Sequence, residues 1–334
     1  MAGSNTRYGF VSKNPLCIKF QKEPHAKAPF FDSGSLDRDF IRCLFFYMPT
    51  LIELLRRSKN RNFIVCDFSP PNGGNPELLS ESSILTPDIF SVAYSPGKSV
   101  RVNPVMVSHW LQNNCKIPSM FTLATRDMNK GALQGILLGA QLLSLDNVVS
   151  VMGDEFTEAE SKLQVTVNDF SSTQLIKSIK DMNQRLDFKH RFLLHPTTFC
   201  VGATIDLSRN WAREIILTKK KIDSGADFIL SQPLFNPDLS MKFYEQYIET
   251  IGTPIEIPIM WGVQIKTKGS LSFTDVPDWI TEDLDLGRSA FDIALQIVSS
   301  YQDNGINNFY IVPPIYRGGR RDYESAQAVI EELQ

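Results

Sequence analysis

MFTLATRDMNKGALQGILLGAQLLSLDNVVSVMGDE, residues 120–155, reads as strand, helix, strand. The run at 120–127 is apolar and stops on charged residues, as does the run at 148–154. Between them Leu133, Leu137, Ala140 and Leu143 recur at helical spacing, and Asp127 stands where a helix amino-terminal cap belongs. A strand buried on both faces, a crossover helix and a second such strand form the unit of a parallel sheet.

The same reading extends along the chain. Apolar runs at 62–67, 89–94, 191–202, 227–232, 257–266 and 308–317 bring the total to eight. Most of the segments between them are long enough for a helix, and 210–224, 238–251 and 289–304 are amphipathic. Eight strand and helix units predict a (β/α)8 TIM barrel, whose chemistry gathers at the carboxyl ends of its strands. The residues there are Asp67, Tyr94, Arg126, Asp127, Asp154, Gln232, Lys266 and Arg317. Residues 1–35 read as a polar amino-terminal arm and 36–334 as a single barrel domain. A helix predicted over 37–59 lies across the bottom of the barrel or before its first strand. The Pro-, Gly- and Ser-rich stretch 70–86 is a long loop.

Composition narrows the function. The chain has 334 residues and a net charge of −3, which gives no general attraction to nucleic acid or to anionic membranes. Five cysteines without a CxxC pair read as reduced, packed thiols. The amino terminus lacks a secretory apolar core and no stretch reaches bilayer length, so a soluble, cytoplasmic protein is expected. The histidines lack metal-ligand spacing, and no nucleophile elbow, P-loop or GxGxxG fingerprint occurs. No metal is expected, and any cofactor must be held by barrel loops.

Individual side chains read as follows. Asp67 ends the first run before Pro70 and Pro71; it is either an acid at the barrel mouth or a loop cap. Asp154 follows Gly153, a pair that suits either ligand approach or a simple turn. Gln232 can donate and accept toward a heterocycle edge. Lys219, Lys220 and Lys221, late in a helix, are either a solvated face or a phosphate contact.

On these residues the chain resembles a known family. The stretch LATRDMNKGALQGILLGAQLLSLDNVVSVMGDE, the block CVGATIDLSRNWAREIILTKKKIDSGADFILSQPLF and the DFSPP after the first strand are similar to three motifs of the methylenetetrahydrofolate reductases. The resemblance runs in order from about 62 to 316. It implies a barrel holding FAD, with a tetrahydrofolate derivative stacked on the flavin and hydride passing between them. It implies catalytic roles for Asp67 as proton donor, Asp154 beside the flavin ring and Gln232 on the pterin. By the same resemblance Tyr94, Thr122, Met152, Gly153, Asp154, Val201, Glu214, Lys220 and Lys221 surround the cofactor, the lysines on its phosphate side.

Three positions depart from the family pattern. Asp67 replaces a Glu, Thr122 replaces a His, and VQIKTKGSLSF after Gly262 replaces a loop that offers the nicotinamide an aromatic platform. The last departure points to an electron partner other than NAD(P)H and to oxidation of methyltetrahydrofolate as a possible direction. Two other functions stand beside this one: a flavin-free folate-binding methyltransferase or carrier, and a non-catalytic subunit docking a partner enzyme through residues 1–35. A homo-oligomer is also compatible with the sequence.

Overall fold

A computed structural model describes residues 48–334. Its eight strands are β1 (Phe63–Phe68), β2 (Ile89–Val92), β3 (Ser119–Ala124), β4 (Asn147–Val151), β5 (Cys200–Ile205), β6 (Phe228–Pro233), β7 (Ile259–Gln264) and β8 (Asn308–Val312). They form a closed barrel in sequence order, with β8 returning parallel to β1. The expected (β/α)8 barrel is the fold observed.

Period-two alternation along the strands explains how the barrel makes a site. Phe63 and Val65, Ile89, Met120, Val149, Phe228 and Leu230, and Met260 point inward and pack as one buried cluster. Their neighbours Ile64, Phe90, Phe121, Val148, Val201, Ile229 and Trp261 belong to the outer cluster that packs the helices. The next inward positions, at the carboxyl ends, are Asp67, Thr122, Val151, Thr204, Gln232 and Tyr310, and they line the cavities of the mouth. The chain therefore fills the interior with apolar layers and finishes it with a mainly polar one.

The bottom is closed by α1 (Leu51–Arg57). It starts with a capping box, in which Thr50 accepts from the Glu53 amide and Glu53 reaches back to the Thr50 backbone. Leu51 is fully buried within the interior cluster, a burial that contributes about 1.5–3 kcal/mol. Its amide donates to Asn147 Oδ1 at 2.8 Å, tying α1 to the start of β4. This is the carboxyl-terminal part of the helix expected over 37–59; residues 37–47 and the arm at 1–35 lie outside the described residues.

The remaining helices are α2 (Pro104–Cys115), α3 (Lys130–Leu142), α4 (Glu158–Ser161), α5 (Ser172–Asn183), α6 (Trp211–Asp223), α7 (Asp238–Ile251), α8 (Asp278–Asp285), α9 (Ala290–Asp303) and α10 (Tyr323–Leu333). Gly225 follows α6 with φ +99°, a conformation that a residue with a Cβ adopts only under strain. The loop 70–86 contains a 3-10 helix, Pro76–Ile84, so it is more ordered than its composition suggests.

Two expectations are corrected. The fifth strand is Cys200–Ile205, not 191–202. The apolar residues that suggested an earlier start, Phe192 and Leu194, are 81% and 88% exposed, and Leu186 pairs antiparallel with Phe192 in a turn ahead of Pro196. Asp127 does not cap α3; Asn129 does, its side chain accepting from the Ala132 amide. Asp127 is held instead by Arg126, its neighbour. Among the described residues no helix is long and apolar enough to cross a membrane.

Candidate active site at the barrel mouth

Two cavities open at the carboxyl ends of the strands, one of about 750 Å³ and one of about 940 Å³. Tyr94, Thr122, Val151, Asp154, Thr204 and Gln232 line both, so the cavities adjoin along one wall. Both volumes fall in the range of small-molecule sites.

The first cavity extends outward over β4, β5 and α6. Its rim is set by Arg126, whose guanidinium grips Asp127 with two contacts of 2.7 Å, donates to the Asp154 carbonyl at 2.8 Å and lies 4.2 Å from the Phe156 ring centre. Burial acts to raise the Asp127 carboxyl, but hydrogen bonds from Arg126 and Tyr94 and the charge of Arg126 hold it below its usual range. Tyr94 in turn is pushed up to about 12, by burial first and then by Asp127. This trio fixes the loop that carries Met152, Gly153 and Asp154. Gly153 has φ +90°, and a Cβ there would sit 3.1 Å from Arg126 Cβ and 3.2 Å from Ala124 Cβ. Only glycine fits this turn without strain.

The far side of the first cavity carries Arg209, Arg213 and Lys221 against the carboxylates of Asp206 and Glu214. Glu214 and Lys221 are seven positions apart on α6, project from the same face and form a buried pair at 3.4 Å. Burial pushes the Lys221 ammonium below its usual range, and Glu214 offsets part of that. Lys221 also donates to the Thr204 carbonyl. Arg209, paired with Asp206 at 2.8 Å, and Arg213 line the same end, and the Arg213 side chain has no partner among the described residues. Ser171, Ser172 and Thr173, at the amino terminus of α5, complete it. Cations beside a helix amino terminus form a donor set that fits a diphosphate.

The second cavity lies over β1, β2 and β8. Asp67 is buried on its floor, with Oδ1 accepting from the Tyr310 hydroxyl at 2.9 Å and Oδ2 facing Arg321 Nε at 3.3 Å and Nη2 at 3.2 Å. Both carboxylate oxygens therefore act as acceptors. Burial, with the charge of Asp67 added, raises the Tyr310 hydroxyl well above its ordinary value. Arg101 donates to the carbonyls of Pro70 at 3.3 Å and Gly318 at 3.2 Å, joining the loops after β1 and β8. A second tie runs from the Leu271 amide to the Ile315 carbonyl at 2.7 Å, and Gln264 holds Leu271 and Phe273 through its amide group. The loop after Gly262 thus lines this cavity with Phe273, 53% exposed, although its sequence departs from the family's aromatic platform.

The expected site residues divide accordingly. Asp67 and Gln232 meet in the second cavity; Tyr94, Thr122, Asp154 and Gln232 stand on the shared wall; Met152, Gly153, Glu214 and Lys221 line the first. Val201 does not reach either cavity: it is one residue out of phase with Cys200 and Thr204 and faces the helices. Lys220 does not reach one either, since one step along α6 turns a side chain by about 100° and leaves it exposed. Arg317 and Lys266 also lie outside the cavity linings, Lys266 donating to Ser270. Tyr310, Thr204, Arg213 and Arg321 were not singled out from the sequence. Strand alternation would have given Tyr310 and Thr204; nothing local marks Arg321. Among the described residues no group of three or more His, Cys, Asp or Glu side chains could hold a metal ion.

Comparison with known proteins places this architecture. The family model described as methylenetetrahydrofolate reductase matches residues 52–311, well over half of the chain. Methylenetetrahydrofolate reductase 2 of Schizosaccharomyces pombe is 22% identical over 243 residues, 66% of this chain, although the match spans only 36% of that protein. The 5,10-methylenetetrahydrofolate reductase of Buchnera aphidicola subsp. Acyrthosiphon pisum is 23% identical over 272 residues, covering 75% of this chain and 87% of that protein. A solved structure of an uncharacterized protein from Clostridium thermocellum, described as binding two copies of 5-methyl-5,6,7,8-tetrahydrofolic acid, shares the fold with a TM-score of 0.59 at 14% identity. It covers 84% of this chain and 97% of that one. With the barrel, the ordered motifs and this match together, the chain belongs to the methylenetetrahydrofolate reductase family.

Proposed function

We propose that the chain is an FAD-dependent oxidoreductase that interconverts 5,10-methylenetetrahydrofolate and 5-methyltetrahydrofolate by hydride transfer. The observation that carries this reading is the wall between the cavities. The side chains of Thr122, Asp154, Thr204 and Gln232 line both cavities and have no hydrogen-bond partner among the described residues. Polar groups left free at a cavity wall suit ligands that bring their own donors and acceptors. A flavin edge and a pterin edge both do.

The residues of the first cavity fit FAD. Lys221, Arg213 and the amino terminus of α5 would hold its diphosphate, and Thr122 and Asp154 would meet the ring system. When bound, the flavin supplies a two-electron acceptor and donor for hydride. A carboxylate beside the ring opposes added negative charge, so Asp154 would lower the reduction potential by an amount on the order of tens of millivolts.

The second cavity suits the folate. Gln232 can donate to and accept from the pterin edge. Phe273 offers an apolar face near the opening. Asp67, with both oxygens accepting, fits the proton-accepting half of the reaction, which belongs to oxidation of the methyl compound.

The test is anaerobic. The full chain is loaded with FAD and mixed with 5-methyltetrahydrofolate, and the flavin absorbance is followed. Bleaching with formation of 5,10-methylenetetrahydrofolate supports the proposal. A chain that binds 5-methyltetrahydrofolate but takes up no flavin supports the methyltransferase or carrier reading instead.

A further inference from the structure

We infer that the group exchanging a proton with N10 of the folate is the Tyr310 hydroxyl, with Asp67 behind it as the proton's destination. The inference rests on the reading that a folate occupies the second cavity. It comes from three observations at the floor of that cavity.

The first is position. Tyr310 on β8 and Val65 on β1 are register partners, and Val65 lies two residues before Asp67 on the same face of the strand. Tyr310 and Asp67 therefore lean toward each other across one strand boundary, and both line the second cavity. The second is reach. Asp67 is one methylene shorter than the family's Glu, a difference of about 1.5 Å, which is large where a displacement near 1 Å can cost on the order of 100-fold in rate. The Tyr310 hydroxyl, 2.9 Å from Oδ1, adds a proton-bearing atom to the same cavity lining as the carboxylate. The third is commitment. Arg321 occupies the other oxygen of Asp67, so the carboxylate is held from both sides.

Other tyrosine hydroxyls at this cavity are spent elsewhere. Tyr94 bonds to Asp127, and the Tyr316 hydroxyl lies 3.0 Å from Thr267 Oγ1. The Tyr310 oxygen gives its proton to Asp67 and keeps lone pairs able to accept another.

In the oxidative direction, N10 attacks the N5-methylene carbon of the iminium formed after hydride loss. The N10–C bond forms and the π pair of the C=N⁺ bond returns to N5. The N10 proton passes to the Tyr310 oxygen while the Tyr310 proton passes to Asp67, which ends as a carboxylic acid. Ring opening in the reductive direction is the reverse, starting from protonated Asp67 and ending with the hydrogen bond seen here.

The test uses the full chain loaded with FAD, reduced by dithionite and mixed with 5,10-methylenetetrahydrofolate, whose ring must open before flavin reoxidation. Tyr310→Phe removes one oxygen and leaves the Asp67–Arg321 pair in place. Reoxidation should slow by about 100-fold, the usual scale for losing a general acid or base. The dissociation constant for 5-methyltetrahydrofolate, measured separately by calorimetry, should move less than about threefold. Adding Asp67→Glu to Tyr310→Phe should recover at least about tenfold of the lost rate, because the longer carboxylate covers the missing reach. A Tyr310→Phe rate within about threefold of the parent, or a loss that Asp67→Glu does not rescue, overturns the inference. A parent chain that never reoxidises is a failure of the proposed function instead, and is separated by that control.

Discussion

Loss of Arg321 should destabilise the barrel by stranding a buried charge. The Arg321 side chain and that of Asp67 are 4% and 5% exposed, and their closest approach is 3.2 Å. At that distance the attraction is about 5 kcal/mol for an effective dielectric near 20, before desolvation is subtracted. Removing one member strands the other charge, which costs about 3–5 kcal/mol in buried pairs, whereas removing both costs much less than twice that. Arg321→Met and Asp67→Asn should each destabilise the chain by an amount in that range. The double variant should be more stable than the sum of the singles predicts by at least about 2 kcal/mol. Urea unfolding followed by tryptophan fluorescence measures all four corners of the cycle. Because the pair is buried, the coupling should persist in about 1 M NaCl, where exposed pairs are screened. Additivity within about 0.5 kcal/mol, the behaviour of independent sites, would refute the reasoning.

Three other outcomes are expected. Lys221→Met should weaken FAD binding at least about tenfold while Lys220→Met leaves it unchanged, as read by flavin fluorescence on titration; equal effects would mean that α6 presents a different face. Gly153→Ala should cost about 1–2 kcal/mol in thermal or urea unfolding and weaken FAD binding, since the left-handed backbone and the 3.1 Å approach to Arg126 both oppose a Cβ. The third outcome concerns alkaline stability. Tyr94, raised to about 12, and Tyr310, raised well above its ordinary value, hold their protons more tightly folded than unfolded. The stability they provide is complete below pH ~10 and is lost as pH rises through their folded values. Phenolate absorbance should lag behind that of the urea-unfolded chain above pH ~10, and coincident titrations would contradict it.

How much of this was legible beforehand follows from the physics of each element. Strands buried on both faces appear as short apolar runs, so seven of the eight could be placed within a few residues. The fifth misled because Phe192 and Leu194 are apolar yet exposed, and a linear pattern carries no burial. Asp67 and Gln232 were visible because strand ends point at the mouth of a barrel. Val201 and Lys220 were not separable from their neighbours until the phase of β5 and α6 was fixed. The Asp67–Arg321 contact joins residues 254 positions apart through a Gly318–Gly319 turn. No local signal encodes it. The choice between Asp127 and Asn129 as cap was decided by Arg126, whose short grip on Asp127 satisfies a carboxylate that would otherwise be available.

The account's central claim is that one ring of strands brings two ligands against a single polar wall. A crystal structure of the chain loaded with FAD and 5-methyltetrahydrofolate tests it most directly. The account predicts the diphosphate beside Lys221 and Arg213, the pterin against Gln232 and near Tyr310, and the two ring systems in contact across Thr122 and Asp154. A second folate in the first cavity, or a flavin bound away from that wall, would contradict it.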